Sequence, residues 1–570
     1  MHWTTRKLFP YATLFLLIGS TCWALWYSPP QPAEFTFNNL TEVKSVDPAR
    51  VTGAPEGRLI RMLFEGLYRP DPRTLEPLPG LAVSADPAKI LSKDGRTYTF
   101  TIRRGANWSD GTPVTAEDFR WSWERFLHPE TASQYTDILK YVVGAKKFSD
   151  PLLLQAGDPV EIDPEDDFNN KRTRLFPRGD VLRGTLIKII KPKEPFFDGN
   201  TTDEEKQEET TKWRKKWIYE VKIGEDLRQF SKENEEAGVE PCRHVLFDFD
   251  HVGIRALDEQ RLQVELKSRT PFFLYLMEFY PTFPVNRKCI ETHGYPAWTR
   301  AENIVTNGPF LLEYRNIRER SRFVKNPDDW DSQSVQLNVV DALVIESSTT
   351  ALNMYLDDQV DWVMAPPPAV VPVLEKRDDY LVRPTLTIYF YRINVNRPPF
   401  DKKETRTVDG KEIVIDQGKL IRQALNMAID KAEICQYILR AGQQPARSFV
   451  PPGLKGYESA QCGEFNVEKA KALLAEAGFE GGRNLPPMDL LYNTSKEHKQ
   501  IAEAVSQLAA AQQEQGEKVL RVYKLGQRVD PTAMQSVLAP LVDADVQVTV
   551  DPTAQRLFVR ATPKKQARFQ

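Results

Sequence analysis

Alternating apolar and polar residues mark several strands along the chain, and apolar residues at helical spacing mark several helices. Residues 98–102 read Tyr-Thr-Phe-Thr-Ile, which places three apolar side chains on one face of a half-buried strand. The same alternation occurs at 34–38 and at 262–266. Apolar residues at 59–67 and at 421–429 follow the spacing of one helix face. Because the two patterns alternate along the chain, we predict an α/β fold.

A strand, a turn and a capped helix are predicted in close succession between residues 98 and 126. Ser109–Gly111 is a turn signal that follows the strand. Thr115, with Asp118 three residues later, is similar to a capping box, which marks the first turn of a helix. The helix behind it carries aromatic residues on one face, so we expect that face to be buried.

The last part of the chain, Lys518–Gln570, has a pattern of its own. Residues 518–525 alternate as a strand, and Asp530 opens a helical pattern. Two short strands are predicted at 546–550 and 557–559. This order predicts a small C-terminal β-α-β-β module.

The N-terminus contains a long uncharged stretch. Arg6 and Lys7 precede residues 8–33, in which no charged residue occurs. A bilayer span takes about 20 apolar residues, whereas the core of a cleaved signal takes about 7–15. We therefore predict a signal anchor over residues 1–33, which holds a periplasmic chain to the inner membrane. A cleaved signal is the second interpretation, and a lipoprotein modified at Cys22 is the third.

Composition and charge narrow the class of protein. Hydrophobic residues make up 41% of the chain and charged residues 27%, as in soluble globular proteins. The net charge of -3 gives no reason to expect nucleic acid as a partner. Residues 212–217 interleave basic and aromatic side chains, but acidic residues lie just upstream. A solvated helix is therefore the preferred interpretation of this segment.

The chain lacks the residue spacings that usually indicate catalysis or nucleotide binding. No Gly-x-Ser-x-Gly, Gly-x-Gly-x-x-Gly or P-loop spacing occurs, so we expect neither an enzyme nor a cofactor. Cys242, His244 and His251 have a spacing that zinc could use, but a fourth ligand has no obvious source, and no metal site is predicted. One or two disulfides and buried free thiols stay open as alternatives for the scattered cysteines, Cys22, Cys242, Cys289, Cys435 and Cys462.

Several motifs in order between Glu34 and Leu508 resemble one known family. The most specific is the pair Tyr98–Arg103 and Trp108–Asp118. The others are Ser45–Pro48, Thr52–Glu56, Leu63–Leu67, Ile304–Phe310, Asn326–Asp331, Arg422–Lys431, Ala470–Phe479 and Leu490–Ser495. Together they resemble the family 5 extracellular solute-binding proteins of ABC importers, which bind oligopeptides, dipeptides or nickel. The likeness is closest to the oligopeptide-binding kind.

This resemblance implies a two-lobed periplasmic binding protein fold with an extra domain and a ligand cleft between the lobes. The resemblance implies lobe I at 34–60 and 246–335, an extra α/β domain at 61–150, and lobe II at 336–510. The remaining predicted segments are the signal anchor at 1–33, a charged insertion without family counterpart at 151–245, and a separate short domain at 518–570.

The resemblance also implies a function and a ligand site. The function is that of a periplasmic receptor that binds oligopeptides and delivers them to the permease subunits of an ABC importer in the inner membrane. Peptides would be held largely by main-chain hydrogen bonds, with roomy pockets for their side chains. By resemblance only, the ligand-binding residues are Thr52, Ala54, Pro55, Tyr135, Asn307 and Tyr391.

Two departures from the family keep an alternative open. A Trp-x-Ala-Asp-Tyr-like segment, whose Asp pairs with the peptide amino group in peptide binders, has no match here, so lobe II is expected to be incomplete and peptide binding weak or absent. Residues 518–570 instead resemble a short N-terminal domain of secretins, so a secretin-like outer-membrane assembly is a further predicted partner. The alternative function is an envelope scaffold or secretion-linked interaction protein built on a truncated lobe, and a chimeric reading frame is a third interpretation.

Overall fold

The chain divides into an N-terminal unit, Met1–Ala365, and a C-terminal unit, Pro366–Gln570. A computed structural model describes residues 31–164, 181–195, 197, 203–233, 236–383, 387–408, 411–451, 463–492, 496–513, 519–524, 547–551 and 556–561. The predicted anchor therefore lies outside the described residues except for its last three positions. In the described parts, none of the helices combines the length and apolar character needed to cross a bilayer.

The strands of the N-terminal unit form two sheets, a hairpin and a barrel. They are β1 (Phe35–Asn38), β2 (Tyr68–Pro70), β3 (Pro77–Pro79), β4 (Thr97–Thr101), β5 (Pro159–Pro164), β6 (Leu182–Ile190), β7 (Ile218–Ile223), β8 (Asp226–Ser231), β9 (Val239–Phe247), β10 (Ile254–Ala256), β11 (Arg261–Glu265), β12 (Phe310–Asn316), β13 (Arg320–Lys325) and β14 (Val339–Leu343).

The helices of this unit lie between the strands in sequence. They are α1 (Ala54–Leu63), α2 (Pro87–Ile90), α3 (Ala116–Leu127), α4 (Ala145–Ser149), α5 (Asp203–Lys215), α6 (Phe273–Leu276), α7 (Arg287–His293) and α8 (Ser348–Leu356).

The main sheet of the N-terminal unit has the order β1-β14-β13-β12. β1 runs parallel to β14, and the other pairs are antiparallel. The chain returns to the free side of β1 at Trp362, which forms a parallel bridge with Phe37. β1, β14 and the segment at Trp362 therefore run in the same direction, and all three end at the same edge of this sheet.

The predicted strand, turn and capped helix at 98–126 are confirmed. β4 pairs with β11 in the sheet β10-β11-β4, and α3 begins with a capping box between Thr115 and Asp118. Trp108, Phe119 and Trp123 are at most 1% exposed. These residues belong to the core of the unit because the amphipathic helix packs its aromatic face onto the sheet.

The predicted helix at 59–67 is shifted in the structure, where α1 starts at Ala54 and ends at Leu63. Pro55 fits the first turn of a helix because the missing N–H group has no intrahelical acceptor there. The helix ends at Leu63 because of a tertiary contact. The Gly308 N–H donates to the carbonyl of Leu63 at 2.9 Å, and the backbone of Phe64 is extended.

The predicted charged insertion, 151–245, contains a closed five-stranded barrel, β5-β6-β7-β8-β9. The predicted solvated helix is confirmed as α5, but the sequence interpretation missed the barrel strands. Leu186, Val221 and Phe230 belong to the same buried apolar cluster as the helices and sheets around them. Barrel and surrounding domain therefore share one core.

The C-terminal unit has few strands among its described residues. They are the hairpin β15 (Glu404–Val408) and β16 (Lys411–Ile415), and the separate sheet of β17 (Val519–Lys524), β18 (Gln547–Asp551) and β19 (Arg556–Ala561) in the order β17-β19-β18. The helices are α9 (Val371–Leu374), α10 (Gln417–Ala428), α11 (Lys431–Glu433), which continues as a π-helix at Ile434–Leu439, α12 (Val467–Glu476) and α13 (Lys496–Gln513).

Within the C-terminal unit, small residues of α10 and α12 pack against each other. Ala424, Ala428 and Ala470 form a buried cluster. The three strands predicted after Lys518 are confirmed, whereas the helix predicted between them lies outside the described residues.

Candidate functional site

The edge of the main sheet where β1, β14 and the segment at Trp362 end is the candidate site. Ligands of open α/β sheets bind in the crevice outside the carboxyl ends of parallel strands. We call the side chains at this edge, Asn39, Thr52, Arg58, Trp362 and Met364, the strand-end surface. Trp362 is 39% exposed and Met364 is 44% exposed, although both are large apolar residues.

The loop before α1 is placed over this edge by a buried tyrosine. The Tyr280 hydroxyl donates to the carbonyl of Val51 at 3.2 Å and accepts from the Gly53 N–H at 3.3 Å. Burial raises the pKa of Tyr280 above its usual range, and nearby Tyr135 adds to the shift. The hydroxyl therefore stays protonated and available for both hydrogen bonds.

Glycine is needed at two positions of this loop and helix. Gly53 has φ +139°, a conformation that side chains other than glycine rarely adopt. A Cβ at Gly57 would lie 2.9 Å from Cε1 of Tyr280. The ring of Tyr280 therefore packs directly against the backbone of α1, which fixes the start of the helix.

Asn39 connects the end of β1 to α1. It is 2% exposed, and its side-chain amide donates to the carbonyl of Pro55 at 3.3 Å. Its side-chain oxygen accepts from Nε of Arg58 at 2.9 Å. This one side chain therefore positions both the predicted loop and a cation next to it.

Four of the residues predicted from resemblance lie around this loop. Thr52 and Ala54 are exposed, and Pro55 is half-buried. Tyr135 packs its ring against Phe279 and Tyr280, with centroid distances of 5.0 and 6.3 Å. The structure therefore brings these four residues together, and their contact with ligand stays a prediction.

Asn307 lies apart from that group. Its side-chain oxygen accepts from the Glu65 N–H at 3.2 Å, and its amide donates to the Glu65 carbonyl at 3.1 Å. Glu65 follows the C-terminal end of α1, and a helix of this length spans about 15 Å. Asn307 is 2% exposed and fixes the chain after the helix, at the end opposite to Thr52.

Tyr391 belongs to the C-terminal unit. It is half-buried, and its ring contacts that of Tyr389 at a centroid distance of 5.6 Å. Burial raises the pKa of its hydroxyl.

The residues considered for zinc have other partners. His244 lies 2.8 Å from Glu130 and 2.9 Å from Lys232, and His251 lies 3.1 Å from Asp248. No cluster suited to a metal ion occurs in the described parts of the chain. Cys242 and Cys289 are buried and Cys435 is half-buried, whereas Cys22 and Cys462 lie outside the described residues.

The sequence profile of the bacterial extracellular solute-binding proteins, family 5, matches residues 76–511. The chain belongs to this family. The motifs on which the predicted resemblance rested lie largely within the match, so that prediction is confirmed. The match ends before the C-terminal sheet and gives no support to the secretin likeness of 518–570.

Relatives with known roles are similar over most of the chain. The periplasmic oligopeptide-binding protein OppA of Escherichia coli is 30% identical over 480 residues, which cover 83% of this chain and 67% of that protein. The oligopeptide-binding protein OppA of Bacillus subtilis is 27% identical, and the match covers 83% of this chain and 67% of that protein. This chain thus matches about two thirds of the length of each.

Solved structures support the fold class. The oligopeptide-binding protein OppAIV of Borrelia burgdorferi superimposes with a TM-score of 0.59 at 26% identity, over 84% of this chain and 74% of that one. The murein tripeptide binding protein MppA of Escherichia coli gives a TM-score of 0.60 at 25% identity, over 85% and 73%. The predicted α/β, two-lobed periplasmic binding protein fold is confirmed.

Proposed function

We propose that this chain is an extracytoplasmic receptor that captures oligopeptides and delivers them to the permease subunits of an ABC importer. The observation that carries the proposal is the strand-end surface, where exposed Trp362 and Met364 lie next to Arg58 of α1, the helix that follows the loop held by Tyr280. An open, partly apolar surface with main-chain groups nearby suits ligands that vary in their side chains. The names of the family's relatives, which include oligopeptide receptors, agree with this ligand class.

We further propose that the uncharged N-terminal stretch anchors the receptor to the inner membrane. Its positive charges precede the apolar residues, which favours a cytoplasmic N-terminus and a periplasmic receptor. Carbonate extraction of membranes tests this proposal, because an anchored chain stays in the membrane fraction at full length. Release of a shortened chain contradicts it.

Peptide binding is the direct test of the receptor function. Isothermal titration of the full chain with mixed di- to pentapeptides is expected to give saturable heats. An absence of saturable heat contradicts the proposal.

The Tyr280→Phe variant links binding to the site proposed here. It removes both hydrogen bonds to the loop while it keeps the ring that packs on α1. We expect the variant to fold and to bind peptides about three- to tenfold more weakly, because the loop at Thr52 loses its fixed position. Tyr275→Phe, at a position 44% exposed, is the matched control. Equal peptide affinities for Tyr280→Phe and the parent would show that the loop is not part of the site.

A further inference from the structure

Among the described residues of the N-terminal unit, Arg58 differs from Arg125 and Arg322, the arginines that are fully buried. Arg125 is paired with buried Asp47, and Arg322 is paired with buried Asp341. Arg58 is half-buried, yet among the described residues no carboxylate lies within 4.0 Å of its guanidinium nitrogens. A cation that is partly desolvated without an ion-pair partner costs free energy unless another group compensates it.

The protein holds Arg58 in one place with neutral acceptors. Its Nε donates to the side-chain oxygen of Asn39 at 2.9 Å, and one terminal nitrogen donates to the Asn39 carbonyl at 3.2 Å. The other terminal nitrogen lies 3.1 Å from the sulfur of Met364, a weak acceptor. These contacts use three of the five N–H donors of a guanidinium group, so donors remain for a ligand.

The surroundings of Arg58 suit a ligand rather than a core. Its guanidinium carbon lies 5.9 Å from the ring centroid of Trp362, which is partly exposed. Burial lowers the pKa of Arg58, and Glu56, two residues earlier on α1, opposes that shift. Arg58 nevertheless stays charged at neutral pH, because the pKa of arginine lies far above 7.

We propose that Arg58 binds a carboxylate of the peptide ligand at the strand-end surface. The inference rests on the proposed receptor function and deepens it, because it assigns a preference for peptides that present a negative charge. A guanidinium group pairs with a carboxylate through two parallel hydrogen bonds, which a lysine does not reproduce. The carboxylate is either an acidic side chain or the C-terminus of the peptide, and the experiment separates these sources.

Four tetrapeptides test the proposal by isothermal titration of the full chain. They are Ala-Ala-Ala-Ala with a free C-terminus, the same peptide as the C-terminal amide, and the amides of Ala-Glu-Ala-Ala and Ala-Gln-Ala-Ala. We expect at least one carboxylate-bearing peptide to bind roughly tenfold to a hundredfold more tightly than its neutral match. The matched pair that shows the difference identifies the source of the carboxylate.

Arg58→Gln is expected to remove this difference, so that the carboxylate-bearing peptide and its neutral match bind with equal affinity. Saturable binding of the neutral peptides by the variant shows that it is folded and that the receptor function is intact. Arg58→Lys is expected to keep part of the preference, because it retains the charge but loses the paired hydrogen bonds. Arg96→Gln is the control. It removes a surface charge that is paired with Asp94 at 3.0 Å, and we expect it to leave the affinities for all four peptides unchanged.

Two results overturn the inference, and they are distinct. If the parent and Arg58→Gln discriminate equally between the matched peptides, Arg58 does not bind the carboxylate, and the receptor function stands. If the parent binds none of the four peptides, the receptor function fails, and the inference that rests on it fails as well.

Discussion

Buried charged residues fix much of the polar structure of the N-terminal unit at the scale of single residues. The Arg125 guanidinium donates two hydrogen bonds to Asp47, and both residues are buried. Glu65 is a different case, because its carboxylate accepts from Nε1 of Trp330 at 2.5 Å and has only a distant contact with Arg69 at 4.0 Å. Burial raises the pKa of Glu65 to about 7.

The raised pKa of Glu65 predicts that the free energy of unfolding falls as pH rises. Between about 4.5, the ordinary value, and about 7, the folded chain keeps a proton on Glu65 that the unfolded chain has lost. Each such group lowers the free energy of unfolding by up to about 1.4 kcal/mol per pH unit in this window. We expect Glu65→Gln, which cannot titrate, to show a shallower decline in urea denaturation between pH 5 and pH 8.

Glu278 limits the size of this effect. Burial also raises the pKa of Glu278 to about 7. The free energy of unfolding of Glu65→Gln is therefore still expected to fall as pH rises, but less steeply than that of the parent. Glu117→Gln, which makes the same chemical change on the surface of α3, is the control. A pH slope that is the same in Glu65→Gln and in the parent would contradict the prediction.

Local sequence signals specify elements well where the signal is a cap or a turn. Thr115 and Asp118 exchange hydrogen bonds at the start of α3. The Thr115 N–H donates to Oδ2 of Asp118 at 2.7 Å, and the Asp118 N–H donates to Oγ1 of Thr115 at 3.3 Å. Oδ2 of Asp118 also accepts from Nε1 of Trp108 at 3.4 Å. The cap therefore connects the family's signature turn to the helix behind it.

Thr115→Ala is expected to lower the free energy of unfolding by about 1 kcal/mol, because it leaves the Asp118 N–H without its side-chain acceptor. Chemical denaturation of the N-terminal unit measures the loss. The control is Thr101→Ala at the exposed end of β4, for which we expect less than about 0.5 kcal/mol. Equal losses in the two variants would mean that the cap does not stabilise α3.

An apolar-rich segment of the C-terminal unit, residues 387–394, did not become a strand. Residues 387–394 read Thr-Ile-Tyr-Phe-Tyr-Arg-Ile-Asn, and yet the structure places no strand there. Tyr389, Phe390 and Ile393 are 36% or more exposed. A strand needs a hydrogen-bonded neighbour, and in the described residues none is supplied to this segment.

At the scale of the whole molecule, the barrel is part of the N-terminal unit and not an appendage. Its interior residues join the common core, and Arg243 and His244 on β9 both contact Glu130 at 2.8 Å, outside the barrel. We therefore expect the barrel and the surrounding domain to unfold together.

Leu186→Ala tests this cooperativity. Leu186 is fully buried in β6, and its truncation is expected to cost about 2–5 kcal/mol. Hydrogen exchange followed by mass spectrometry should show reduced protection in the barrel and in α3 alike. Ile187→Ala, at a neighbouring position 41% exposed, is the control and should change little. Loss of protection confined to the barrel would show that it unfolds on its own.

The sequence by itself determined the family, the α/β class and the elements whose signals are local. The caps, the turn at Ser109–Gly111, the strand at 98–102 and the helix at 203–215 depend on residues a few positions apart. The sequence also located the loop at Thr52 through its motif. These features follow from backbone preferences and side-chain periodicity, which act over short separations.

Only the tertiary structure decided how distant residues meet. Asn39, Arg58, Tyr280 and Trp362 come together because β1 pairs with β14 and with the returning chain, and no periodicity encodes that pairing. Tertiary contacts also end α1 at Leu63, and they place the Asn307 side chain in hydrogen-bond contact with the main chain of Glu65. The sequence did not predict the barrel for the same reason. Its closure depends on pairing between strands separated by up to about eighty residues of charged sequence.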